Sequence, residues 1–167
     1  NVFPSISRKI RWQAPVGTVV TLPNGQTQTL TADPVLEIPR VTRRDQPAGS
    51  GCSAASSAVD FDARGNVSSR VDFNGTRTCH AYDPKRQVES VRVEGLAQAD
   101  RCPADLAAYT VPAGLPADLP QRKISTLWHP LWKLEQRRAE PGRITTTVYN
   151  GTDDPVTGER AIGCVPV

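Results

Sequence analysis

The chain has 167 residues, a length for one domain, with 20 Lys and Arg against 17 Asp and Glu and a net charge of +3. So small a charge leaves no electrostatic footprint for nucleic acid or an anionic membrane, and no apolar run nears the roughly 18–20 residues of a membrane span. Hydrophobic residues at 38%, with 12 Gly and 15 Pro, exclude a collagen-like or fully disordered chain.

In chain order the pattern is all-β. Val and Thr are abundant and no long segment keeps a helical period. Segment 16–44 reads as a hairpin. Val19, Val20 and Leu22 lead into Pro23-Asn24-Gly25-Gln26, and Thr27, Thr29 and Leu30 lead out. Asn-Gly supplies the two positive-φ positions of a type I′ turn. Pro34 and Pro39 suit an extended connector or an edge strand over 32–40. Residues 45–57, rich in Gly and Ser around Cys52, read as a loop. A repeat doublet covers 59–96. A Pro/Ala-rich insertion covers 97–121, with a short helix expected from Asp100 to Tyr109. A second doublet covers 122–150, and a tail runs over 151–167.

The doublets rest on internal repetition. Phe61-Asp62-Ala63-Arg64-Gly65-Asn66-Val67 is followed 21 residues on by Tyr82-Asp83-Pro84-Lys85-Arg86-Gln87-Val88. Sixty-seven residues on, Trp128 falls on Phe61, Leu134 on Val67, Arg137 on Arg70, Gly142 on Gly75 and Tyr149 on Tyr82. In this register Trp132 replaces Gly65. Each unit has a physical logic. An aromatic ends a strand by packing inward, and the Asp after it bonds backbone amides two or three residues on. Gly65 takes a left-handed conformation, and a new strand starts at Val67. One hairpin cannot bury its apolar side alone, so units must stack.

Four cysteines stand at 52, 79, 102 and 164, without metal-ligand spacing, and fit an oxidising compartment. Three pairings are open. A Cys79–Cys102 bridge would pin the insertion to the repeat sheet and leave Cys52 for Cys164.

The segments 61–67 and His80-Ala81-Tyr82-Asp83-Pro84-Lys85-Arg86 resemble the YD repeats of RHS (rearrangement hotspot) proteins. Val71-Asp72-Phe73-Asn74-Gly75-Thr76 and Trp128-His129-Pro130 with Glu140-Pro141-Gly142-Arg143-Ile144-Thr145-Thr146 are similar to forms in bacterial members. The resemblance covers 59–96 and 122–150, and 16–44 more loosely. It implies a hairpin array that is one stretch of a spiralling β-sheet shell. Bacterial relatives enclose a C-terminal toxin domain in such a shell, and animal teneurins carry a similar one. The chain is then expected to be a non-catalytic wall segment, secreted or at the cell surface. Its partners would be the rest of a larger polypeptide and an enclosed toxin domain, or further copies joined through sheet edges. The start at Asn1 and the absence of Met fit a processed piece. The family's aspartyl self-cleaving signature is approached by Asp154-Pro155-Val156-Thr157-Gly158 without its flanks, so no catalytic residue is carried over.

Other chemistry is thin. His80 and His129 lack a Gly-x-Ser-x-Gly partner. His129 stands where Asp62 stands in the other copy and is assigned a turn hydrogen bond. Asp60 and Asp62 lie two residues apart, a pair a glycosidase could use, but Asp62 recurs with the turn. No cofactor or metal site is expected. Trp128 and Trp132 form a candidate sugar-stacking platform, which would make the chain an adhesin or glycan-binding module instead.

Overall fold

The computed structural model describes residues 16–49, 51–115, 120–154 and 156–162. Ten strands follow one another: β1 (Val16–Thr21), β2 (Thr27–Val35), β3 (Ile38–Gln46), β4 (Ala55–Phe61), β5 (Val67–Val71), β6 (Thr76–Tyr82), β7 (Glu89–Ala97), β8 (Arg122–Trp128), β9 (Glu135–Glu140) and β10 (Arg143–Thr146). They form a single open antiparallel sheet in sequence order, with β1 and β10 at its two edges. The protein is all-β, and among the described residues there is no helix. No helix is therefore long and apolar enough to cross a membrane.

Local chemistry sets each reversal of the chain. Three short turns share one hydrogen-bond plan. Leu22 N–H donates to Gln26 O, Asp62 N–H to Asn66 O and Asp72 N–H to Thr76 O, at 2.7, 2.8 and 3.0 Å. In each, a glycine in the left-handed region (Gly25, Gly65 and Gly75, φ 78–82°) returns its N–H to the first residue's carbonyl. Asp62 Oδ1 accepts from Arg64 and Asn66 N–H, and Asp72 Oδ1 from Asn74 and Thr76 N–H. The next Asp turn is one residue longer. Asp83 N–H donates to Val88 O, and Gln87, at φ 57°, donates its N–H to Asp83 O.

Segment 32–40 is not a connector. It is the body of the β2–β3 hairpin, reversed at Leu36 and Glu37, both at positive φ. Val35 faces Ile38 beside the turn, so Pro34 and Pro39 face each other at the next pair, where neither needs an N–H. The 45–57 loop is shorter than its composition suggests, because β3 runs to Gln46 and β4 begins at Ala55.

The insertion covers one face of β6, β7 and β8. Cys79 and Val93 are fully buried and pack with Val91, Leu96 and Leu106, with Cys102 and Tyr109 closing over them. Each buried branched side chain contributes about 2 kcal/mol. Cys79 and Cys102 form a disulfide, with Cα atoms 5.7 Å apart. Lys123 Nζ donates to the carbonyls of Ala107 and Tyr109. The helix expected at Asp100–Tyr109 is absent. Pro103 turns Cys102, already tethered by the disulfide, away from helical backbone, and Asp105 Oδ1 takes the Ala107 and Ala108 N–H groups in a lone turn. Cys52 is exposed with a free thiol. The proposed partner, Cys164, lies outside the described residues.

Candidate interaction surfaces

The repeat aromatics form a connected series. Phe61, Tyr82 and Trp128 each end a strand at a bulge, facing Val67, Glu89 and Glu135 respectively. The bulge leaves the facing residue's carbonyl outside the regular ladder. The next aromatic takes it. Tyr82 OH donates to Val67 O at 3.0 Å, Trp128 Nε1 to Glu89 O at 2.7 Å and Tyr149 OH to Glu135 O at 3.0 Å. Tyr82, Trp128 and Tyr149, at or just past the end of one strand, thus each staple it to the start of the strand before it. Burial, with Glu89 and Asp62 nearby, holds the Tyr82 phenol above its usual range. Phe61 has no donor, and Arg40 lies over its ring at 5.4 Å instead.

The 129–134 loop has the length of 83–88. His129 N–H donates to Leu134 O, and His129 Nδ1 accepts from the N–H groups of Leu131 and Trp132. Asp83 Oδ1 accepts from Lys85 and Arg86 in the same two places. The gap-free equivalence is therefore 46 residues, Tyr82 to Trp128, and Trp132 stands opposite Arg86 rather than Gly65. Asp154 repeats the Asp83 plan with Val156, Thr157, Gly158 and Glu159, so its carboxylate serves a turn.

The 46-residue register exposes a pattern that aromatic spacing alone does not. Glu89, Arg92 and Glu94 recur as Glu135, Arg138 and Glu140. These lie on the face opposite the insertion. Arg92 Nε sits 3.7 Å from Glu89 and 2.8 Å from Glu94; Arg138 sits 3.5 Å from both Glu135 and Glu140. Arg122 closes on Glu94. Burial alone would raise the Glu89 carboxyl, but His80, 2.5 Å away, together with Arg92 and Arg138, holds it below its ordinary range.

Arg70 is the same position in the first copy, with Val67 and Asp72 where the glutamates stand. It lines an open groove of about 400 Å³ across β3, β4 and β5, with Arg44, Ser57, Val59, Phe61 and Val67. Among the described residues Arg44 and Arg70 have no ion pair or side-chain hydrogen bond.

The proposed sugar platform is divided. Trp128 is half-buried with its indole N–H committed to Glu89, while Trp132 is 63% exposed on its loop beside Leu131. Asp60 and Asp62 serve separate networks. Asp60 bonds Ser69 Oγ and approaches Arg77, and Asp62 holds its turn, where side-chain and backbone N–H bonds depress its carboxyl against the upward push of burial. Comparison with protein-family models, curated proteins and solved structures finds no significant match in any of the three.

Proposed function

We propose that the chain is a structural segment of an RHS-type, YD-repeat β-shell that encloses and delivers a toxin domain, and that it is non-catalytic itself. The staple series carries the reading. Phe61, Tyr82, Trp128 and Tyr149 occupy equivalent places, and three of them bond the start of the strand before. Such a unit extends by repetition and encloses nothing alone. The sparse core points the same way. Among the described residues only eight apolar side chains are buried, while Leu127 and Ile144 are more than half exposed. Among the described residues β1 and β10 are the outer strands of the sheet, and their backbone edges suit added strands from a larger polypeptide or from further copies. A disulfide fits a secreted or cell-surface setting.

Denaturing, non-reducing mass spectrometry of the native material tests this. The expected result is the chain within, or accompanied by, larger pieces of one polypeptide. A lone homogeneous chain overturns it. The exposed Trp132 favours a second reading, an adhesin or glycan-binding module. A glycan array tests that reading, with binding expected to disappear in Trp132→Ala.

A further inference from the structure

One repeat position occurs three times in this sheet, with two outcomes. Arg92 and Arg138 are each held between two glutamates of their own strand. Arg70 occupies the equivalent place and has neither. Val67 replaces the first glutamate, and Asp72, in place of the second, commits Oδ1 to the N–H groups of Asn74 and Thr76. Arg70 is exposed, and its side chain stands at the wall of the β3–β5 groove.

Arg44 stands on the other side of the same groove. Arg44 faces Ser57 and Arg70 faces Val59, so the two flank β4, two residues out of step. Strand geometry puts their Cα atoms about 12 Å apart. Val59, Phe61 and Val67 make the floor between them apolar. Arg43, which lines the groove as well, is already bound to Asp45 at 2.8 Å. Two unpaired guanidinium groups over an apolar floor are complementary to carboxylates on an apolar backbone. An extended chain with same-side residues at i and i+2, about 7 Å apart, sets two carboxylates within reach of both arginines.

We propose that the β3–β5 groove binds an acidic, apolar peptide strand whose carboxylates take the place on Arg70 and Arg44 that Glu89 and Glu94 take on Arg92. The site stands independently of the shell reading. The occupant carries Glu at i and i+2 on the side turned to the two arginines, with branched or aromatic residues at i−2 and i+4 on that same side, against the apolar floor of Val59 and Val67.

The test uses the full folded chain and two labelled heptapeptides, Val-Thr-Glu-Thr-Glu-Thr-Phe, whose Val, Glu, Glu and Phe share one side of an extended strand, and its twin with both Glu replaced by Gln, capped at both ends. Fluorescence anisotropy reads binding. The acidic peptide is expected to bind about tenfold or more tighter than its twin, with affinity falling as salt rises. Arg70→Gln and Arg44→Gln are each expected to weaken it roughly five- to tenfold. Arg143→Gln, outside the groove, leaves it unchanged. Arg70→Glu reverses the preference toward a Lys-containing twin. Circular dichroism confirms that each variant is folded, as expected for exposed side chains. Equal binding of the Glu and Gln peptides overturns the proposal, as does wild-type affinity in Arg70→Gln. So does an absence of binding by the acidic peptide at millimolar concentration.

Discussion

Strands β6–β9 and strands β3–β5 are built on the same repeat and end differently. In β6–β9 the insertion and its disulfide cover one face, and glutamates hold the arginines of the other. In β3–β5 the corresponding arginine is unheld, a groove replaces the ion-pair row, and the neighbouring turn uses Leu36 and Glu37 at positive φ. The difference teaches that a repeat fixes backbone geometry first. The side chains of any one copy are free to serve packing or recognition so long as the aromatic, the bulge and the turn remain.

The comparison breaks most heavily at the disulfide. Cys79→Ala with Cys102→Ala is expected to lower stability by about 3 kcal/mol, since the bridge spans 23 residues of sequence. Denaturant unfolding measures it, and β3–β5 should keep their hydrogen-exchange protection while β6–β8 lose theirs. Gly95→Ala comes next, at about 2 kcal/mol. Gly95 sits at φ 81°, and a Cβ there would meet the Pro120 carbonyl oxygen at 2.4 Å. Thermal melting of the two variants tells whether the insertion is held by its tether or by its fit.

Tyr82→Phe sharpens the comparison at its boundary, where the staple crosses from β6 to Val67 on β5. Loss of the hydroxyl is expected to cost about 1 kcal/mol. Phe61, already without a donor, is the natural control. Smaller still is the acid response of the clamped half. The Glu89 carboxyl is held low in the fold, so its contribution is present above its unfolded pKa and lost as pH falls through the folded one. Glu89→Gln should therefore flatten the acid limb of a Tm–pH curve below about pH 5. The smallest effect is a gain. Glu37→Gly relieves a positive φ on an exposed turn and should raise stability by roughly 0.5 kcal/mol.

Much of this was legible in the residues. The presence of turns at Gly25 and Gly75, the aromatic series and the Cys79–Cys102 bridge follow from turn chemistry, spacing and a plausible tether. The two-residue type I′ turn expected at Asn24-Gly25 does not form: only Gly25 takes positive φ, in a turn closed by Leu22 N–H on Gln26 O. The β2–β3 turn was not legible, because neither Leu36 nor Glu37 announces a left-handed conformation. The helix at 100–109 failed because alanine propensity is weak beside a proline and a tether. The Glu–Arg–Glu clamps were hidden by the insertion, which breaks the 21-residue step and leaves their register visible only at 46. His129 was readable as a turn acceptor from its alignment with an Asp. The bond from each aromatic to an earlier carbonyl was beyond any pattern of residue types, since the bulge that frees the carbonyl is a property of the paired strands.

The staples also have a direction in time. Val67 precedes Tyr82, Glu89 precedes Trp128 and Glu135 precedes Tyr149, so the acceptor always comes earlier in the chain than its donor. A polypeptide leaving the ribosome N-terminus first presents each new aromatic to a carbonyl already in place. Each of these three aromatics can lock onto a finished strand as it emerges, without waiting for sequence still to be translated.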